Sequence, residues 1–242
     1  MTTYVDMGGL MFWYSTANNI GWSKDRLFYT RYTGSVLVNE GYNSVRKAAY
    51  PDYKAGRKKT SDYAIRAFKL WKDTQHDASF QVVSREGYEA DDILAWYGIR
   101  GYPVVTRDKD MLQCIAPSLV TDYQGKPTLF NTSKLPVTYR DIAITQEHIH
   151  YLLVLLGDKG DNIPPLIKGY TAIREMQVGV EECNWQLMKE YVDYNALLRN
   201  LALVTLPHYT LLDISVEEML NHLCEKTFDE YRLSVVKEKD II

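Results

Sequence analysis

The sequence predicts an α/β protein: a mostly parallel sheet covered by helices on both faces, continued by a mainly helical carboxyl-terminal part. Short, mostly apolar runs rich in β-branched residues recur through the first half, and longer segments with helical spacing separate them. Near-continuous apolar strands alternating with helices mark parallel strands buried on both faces. Polar residues follow these runs closely, and in such sheets the functional crevice lies beyond the carboxyl ends of the strands.

The runs are Thr3 to Val5, Ser35 to Val38, Phe80 to Val83 and Pro103 to Thr106, with helical spacing over Ala64 to Trp71 and Ala90 to Ile99. Asp6, Asn39 and Asp108 come directly after such a run or within two residues of it, and Glu89 starts a helix after another. The sheet would thus deliver its polar groups to one rim. Leu119 to Phe130 reads as a polar hairpin turning at Gln124-Gly125. Thr145 should cap a helix running through Leu156, with Gln146 and Glu147 in its first turn. Gly157 ends that helix, a loop to Lys168 follows, and Thr171 to Met176 reads as a further helix. The remainder reads as helical with a break near Pro207, and a boundary near residue 142 separates 1–141 from 142–242.

A chain of 242 residues can bury a substantial core. Its net charge of −3 conceals an asymmetry: Arg46 to Lys72 holds nine basic and two acidic residues, +7, so the rest totals −10. A basic stripe on an acidic body suits one face for phosphate and another for metal. Three cysteines without a C-x-x-C pair fit a reducing compartment. Asp6 follows only five residues with no basic-then-apolar leader, and the longest apolar run, Tyr151 to Leu156, is far below the roughly 20 residues a membrane helix needs. A soluble cytoplasmic monomer with no membrane attachment is expected.

Eight carboxylates fall in four clusters: Asp6; Glu89, Asp91 and Asp92; Asp108 and Asp110; Asp158 and Asp161. Each cluster alone has an ordinary explanation. Acids stabilise helix starts by about 0.3–1 kcal/mol each, charged loops are solvated, and aspartates form turns. Together they would repel one another unless a cation sat between them. Oxygen ligands without nearby His or Cys point to Mg²⁺ or Mn²⁺. Two such ions about 4 Å apart lower the pKa of water and neutralise the attacking and leaving oxygens of a phosphodiester. The five histidines are scattered and are not needed as bases.

Glu89-Ala90-Asp91-Asp92, Thr106-Arg107-Asp108-Lys109-Asp110 and Gly157-Asp158-Lys159-Gly160-Asp161-Asn162-Ile163-Pro164 stand in the order and at the intervals of the flap endonuclease and 5′→3′ exonuclease family. The chain resembles the bacteriophage-type enzymes most, and the likeness extends to Tyr50-Pro51-Asp52-Tyr53-Lys54-Ala55-Gly56-Arg57, Gly169 to Glu175 and Leu198 to Val204, about residues 4 to 210. The resemblance implies a PIN-like nuclease body over 1–141, and a helix–three-turn–helix duplex-binding element at Asp158 to Glu175 within 142–242. It implies that Asp6, Glu89, Asp91, Asp108 and Asp110 hold metal near the scissile phosphate, with Asp158 and Asp161 completing a second position. Asp92 would act directly or through water. Tyr53, Lys54 and Arg57 match the family's helical gateway. There Lys54 and Arg57 would grip the phosphate, and Tyr53 would stack on a terminal base, worth about 1–3 kcal/mol. Arg46, Lys47, Lys58, Lys59, Lys159, Lys168 and Arg174 are the expected further DNA contacts.

Three departures stand out. Asn39 occupies a family aspartate position and brings no charge, which means native tuning, substitution by Glu40, or inactivation. Only 32 positions separate Arg57 from Glu89, which leaves little chain for a full arch and suggests an open clamp. Pro165-Leu166-Ile167-Lys168-Gly169 replaces a glycine-rich turn, which counts against a potassium site. The expected function is a Mg²⁺- or Mn²⁺-dependent 5′ nuclease on branched or nicked DNA in replication. The alternatives are a catalytically silent DNA-junction binder and a PIN-type ribonuclease.

Overall fold

The computed structural model describes residues 1–10, 32, 34–57, 81–123, 125–126, 138–139, 142–143, 145–167 and 177–242. Among these residues five strands make one sheet, all parallel: β1 Tyr4–Asp6, β2 Val36–Val38, β3 Gln81–Val83, β4 Val104–Val105 and β5 Val120–Thr121, in the order β3-β2-β1-β4-β5. Val5, Leu37, Val38 and Val104 are fully buried, as strands covered on both faces require. Register decides where the site lies. Asp6 pairs with Val38 and Val38 with Val83, so three strands end level.

Asp91 and Asp92 sit in the first turn of α2 (Ala90–Ile99), which follows α1 (Val45–Ala49) in the chain. From Asp92 to Gly98 α2 is buried, lying on β1, β2 and β4. A side chain at Gly98 would overlap Ile115. The later helices are α3 Gln146–Leu156, α4 Gln177–Glu181, α5 Trp185–Tyr191, α6 Tyr194–Val204, α7 Val216–Cys224 and α8 Phe228–Glu238. α6 packs on α3 and α7, and α8 packs on α2. Buried side chains from Tyr4 to Ile241 form one cluster, so the core runs across residue 142.

Within the expected hairpin Leu119 to Phe130, Val120–Thr121 pairs parallel with β4 as the fifth strand, and the chain turns where Gly125 donates to the Asp122 carbonyl and Asp122 N–H to the Lys126 carbonyl, each at 2.8 Å; residues 127–130 lie outside the described residues. Among the described residues, β6 (Thr138–Tyr139) pairs antiparallel with β7 (Ile142–Ala143). The expected helices at Ala64 to Trp71 and Thr171 to Met176 lie outside the described residues.

His150 of α3 is buried, with Nε2 at 2.9 Å from the Thr205 hydroxyl. Burial pushes its imidazole down to about 3, and Arg232 adds to this. The unfolded chain takes up a proton here near pH 6.5 and the folded chain does not until about 3. Its contribution is therefore intact above 6.5 and is lost progressively as pH falls, on the order of 2 kcal/mol at pH 5. The urea midpoint should drop between pH 7.5 and 5, and His150→Gln should flatten that slope. An unchanged slope would refute the assignment.

Candidate active site

Asp6 closes β1 and is held by three donors. Oδ1 accepts the Gly9 N–H at 2.9 Å, while Oδ2 accepts the Thr106 hydroxyl at 3.1 Å and the Tyr123 hydroxyl at 2.9 Å. Glycine is required at position 9, because a Cβ there would overlap the Asp6 carboxylate and the Tyr123 hydroxyl. Burial, followed by the charge of Asp6, pushes the Tyr123 phenol well above its usual range, so it stays a donor. Thr106 also accepts the Asp108 N–H at 3.0 Å, and Asp108 Oδ1 accepts the Asp110 N–H at 2.9 Å. The residues after β4 are thereby turned back toward β1.

Asp91 faces this group. Burial, then the charges of Asp108, Asp6 and Glu89, push its carboxyl well above the usual carboxylate range, and Lys54 offsets part of the rise. Four acids from three separate stretches of chain therefore share one electrostatic neighbourhood. Among the described residues, no three acidic, histidine or cysteine side chains close into a finished metal-binding cluster.

A second group lies beside the first. Glu89, buried at the start of α2, accepts from Lys54 Nζ at 2.6 Å and from the Tyr53 hydroxyl at 3.0 Å. The Tyr53 hydroxyl also lies 3.4 Å from Asp161, whose other oxygen accepts both Arg57 Nε, at 3.0 Å, and Arg57 Nη2. The segment from Asp52 to Arg57 rests on the turn from Asp158 to Ile163. Lys54 N–H donates to the Asp161 carbonyl at 2.8 Å, and Asn162 Nδ2 donates to the Asp52 carbonyl at 2.9 Å. That turn is closed by Asp158 and Ile163 exchanging backbone bonds at 3.0 and 2.8 Å, with Asp158 Oδ1 accepting the Gly160 N–H at 2.6 Å. Gly157, at φ +65, lets the Ile163 carbonyl approach where a side chain would collide.

A family model for the 5′-3′ exonuclease N-terminal, resolvase-like domain matches residues 28–141. Over these residues the chain is similar to the 5′-3′ exonuclease proteins. A 5′-3′ exonuclease of Aquifex aeolicus is 27% identical over 228 residues, covering 86% of this chain and 78% of that protein. The DNA polymerase I of Bacillus caldotenax is 25% identical over 173 residues, 64% of this chain but only 20% of the polymerase. For the DNA polymerase I of Rhizobium leguminosarum the share is 16%. The chain thus spans about a fifth or less of these two polymerases. Among solved structures, the bacteriophage T5 flap endonuclease in a pseudo-enzyme–product complex with DNA and metal ions has a TM-score of 0.57 and 21% identity, covering 98% of this chain and 99% of that one. The T5 5′-exonuclease with divalent zinc ions has a TM-score of 0.59 and 20% identity, with 98% of each chain covered. At such identity the likeness is one of fold, a PIN-like, resolvase-like α/β body.

Within this fold, three assignments from sequence change. Arg46 is no DNA contact: it is 1% exposed and forks onto Asp92 at 2.6 and 2.7 Å. Asp92 is no open ligand either, because its oxygens also accept the His208 and Glu89 N–H groups at 2.9 and 3.1 Å. Tyr53 cannot stack on a base, being 3% exposed with its hydroxyl turned to the acids, and residues 51–57 form turns rather than a helix. Lys47 and Lys159 are exposed, whereas Lys58, Lys59, Lys168 and Arg174 lie outside the described residues. Thr106 and Tyr123 had not been singled out. Tyr123 follows β5, whose place beside β4 was not read from the sequence.

Proposed function

We propose that this chain is a divalent-metal-dependent 5′ nuclease that hydrolyses a phosphodiester bond in branched or nicked DNA. The observation that carries this reading is the gathering of Asp6, Glu89, Asp91 and Asp108 around one rim, with Lys54 and Arg57 alongside. The bacteriophage T5 flap endonuclease was captured with DNA and metal ions, and its fold is shared along nearly this whole chain. The donor set fits a hard divalent cation: every candidate is an oxygen, and burial together with the charges of Asp108, Asp6 and Glu89 raises the Asp91 carboxyl. Asp6, Asp91 and Asp108 would hold one ion, with Glu89, Asp110, Asp158 and Asp161 available for a second. Bound there, Mg²⁺ or Mn²⁺ would supply Lewis acidity that favours hydroxide over water and neutralises the phosphodiester oxygens.

The chain's own residues perform the rest. Thr106, Tyr123 and the Gly9 N–H fix the orientation of the Asp6 carboxylate by donating to it. Lys54 and Arg57 bind the substrate phosphate with charge-assisted hydrogen bonds, exchanging Glu89 and Asp161 for phosphate oxygens. Lys47 and Lys159 add exposed positive charge. The turn from Asp158 to Ile163 begins the proposed duplex-binding element.

Asn39 favours a second reading, a junction binder without turnover. It follows β2 at the rim, with its N–H on the Val83 carbonyl at 2.9 Å, and it brings no charge. One assay separates the two. A labelled 5′-flap duplex, a linear single-stranded RNA and a blunt duplex are each incubated with Mg²⁺, Mn²⁺ or EDTA. Flap cleavage abolished by EDTA supports the nuclease. Tight flap binding without cutting, unchanged in Asn39→Asp, supports the silent binder. If the wild type cuts, Asn39→Asp should lower the Mg²⁺ concentration giving half-maximal rate, because it adds a ligand charge. A higher requirement would remove Asn39 from the metal site.

A further inference from the structure

Tyr42 is 83% exposed, yet the loop that carries it is tightly fixed. The Gly41 N–H donates to the Tyr88 carbonyl at 2.9 Å, and the Gly87 N–H donates to the Tyr42 carbonyl at 2.7 Å. The Val45 N–H reaches the Gly87 carbonyl at 2.9 Å, and Asn43 Nδ2 reaches Glu86 at 3.1 Å. A Cβ at Gly41 would overlap the Arg85 backbone carbonyl, so the loops after β2 and β3 are in direct backbone contact. The β2 loop starts at Asn39 and the β3 loop ends at Glu89, which puts Tyr42 on the rim that holds the acids.

An exposed tyrosine on a flexible loop is unremarkable. One held out by four hydrogen bonds has already lost the backbone freedom that a ligand would otherwise have to remove, and its ring needs few torsions fixed. The exposed Lys47 on α1, five residues on, adds positive charge for the adjoining phosphate. The geometry points to Tyr42 as a stacking platform for an unpaired nucleobase of the DNA strand entering the site. This rests on the nuclease reading for the identity of the strand. It gives the site the aromatic face that the buried Tyr53 does not provide. Stacking of this kind tolerates any base, since every base has a π-face.

The probe is a 5′-flap duplex with 2-aminopurine at the first unpaired position, titrated in EDTA so that nothing is cut. Wild type and Tyr42→Phe should quench the fluorophore and bind within about twofold of each other. Tyr42→Ala should bind about ten-fold more weakly, with the quench lost. On a flap whose unpaired bases are replaced by an abasic linker, wild type and Tyr42→Ala should bind alike. Circular dichroism checks that each variant is folded. The inference is overturned if Tyr42→Ala retains both affinity and quench, or if its loss is as large on the abasic flap. Wild-type protein that quenches the probe yet never cuts in Mg²⁺ or Mn²⁺ keeps the stacking platform and sinks the nuclease reading alone.

Discussion

Asp91→Asn should abolish cleavage of a 5′-flap duplex while raising the melting temperature of the protein in EDTA. Both effects have one cause. Asp91 is pressed by burial and by the charges of Asp108, Asp6 and Glu89, so its ionised form is disfavoured in the protein alone. Removing that charge without changing the side-chain shape relieves repulsion worth on the order of 1 kcal/mol, or about 2–4 °C for a chain of this size. The same charge is needed to hold a divalent ion against water. Its loss should lower the rate by about 10³-fold or more, at about 1.36 kcal/mol per tenfold. Adding Mn²⁺ should raise the wild-type melting temperature and raise that of Asp91→Asn by less. Retained turnover, or a lower melting temperature in EDTA, would remove Asp91 from the site.

The sequence carried much of this geometry because strand ends are local features. A run of β-branched residues followed by an acid places that acid on the rim once the strands are parallel, and Asp6 and Asp108 both obey this. The ends of α2 were legible for a similar reason, because an acidic first turn precedes a buried apolar stretch. Pairing between distant residues was not legible. Charge counting treats every Arg and Lys as exposed, so Arg46 entered the basic stripe although its partner stands 46 positions away. Tyr53 was misplaced in the same way: no local pattern distinguishes a tyrosine facing solvent from one whose hydroxyl joins Glu89 to Asp161. β5 has two residues, too few to show a period, and only its long-range pairing with β4 defines it. Thr106 and Tyr123 escaped because both are uncharged donors, and their importance lies in the anion they face.

Breaking the Arg46–Asp92 pair should destabilise the fold strongly. Burial alone would raise the Asp92 carboxyl, but the Arg46 guanidinium outweighs it and holds it below the usual range. Arg46 Nε and Nη2 also donate to the Leu203 and Thr205 carbonyls, each at 2.9 Å. One guanidinium thus ties α1, the start of α2 and the end of α6 together. Arg46→Met leaves a carboxylate and two carbonyls buried without that partner, and should cost about 3–5 kcal/mol in urea unfolding. Arg46→Met combined with Asp92→Leu should recover much of that loss, because no charge is then stranded. A cost below about 1 kcal/mol for Arg46→Met would show that the pair is dispensable. There is a functional consequence too. The same Asp92 accepts the N–H of Glu89 and adjoins Asp91, so the pair sets where two of the proposed metal ligands begin. Flap cleavage by Arg46→Met should therefore fall further than its folded fraction accounts for. A rate that simply tracks the folded fraction would confine the pair to stability.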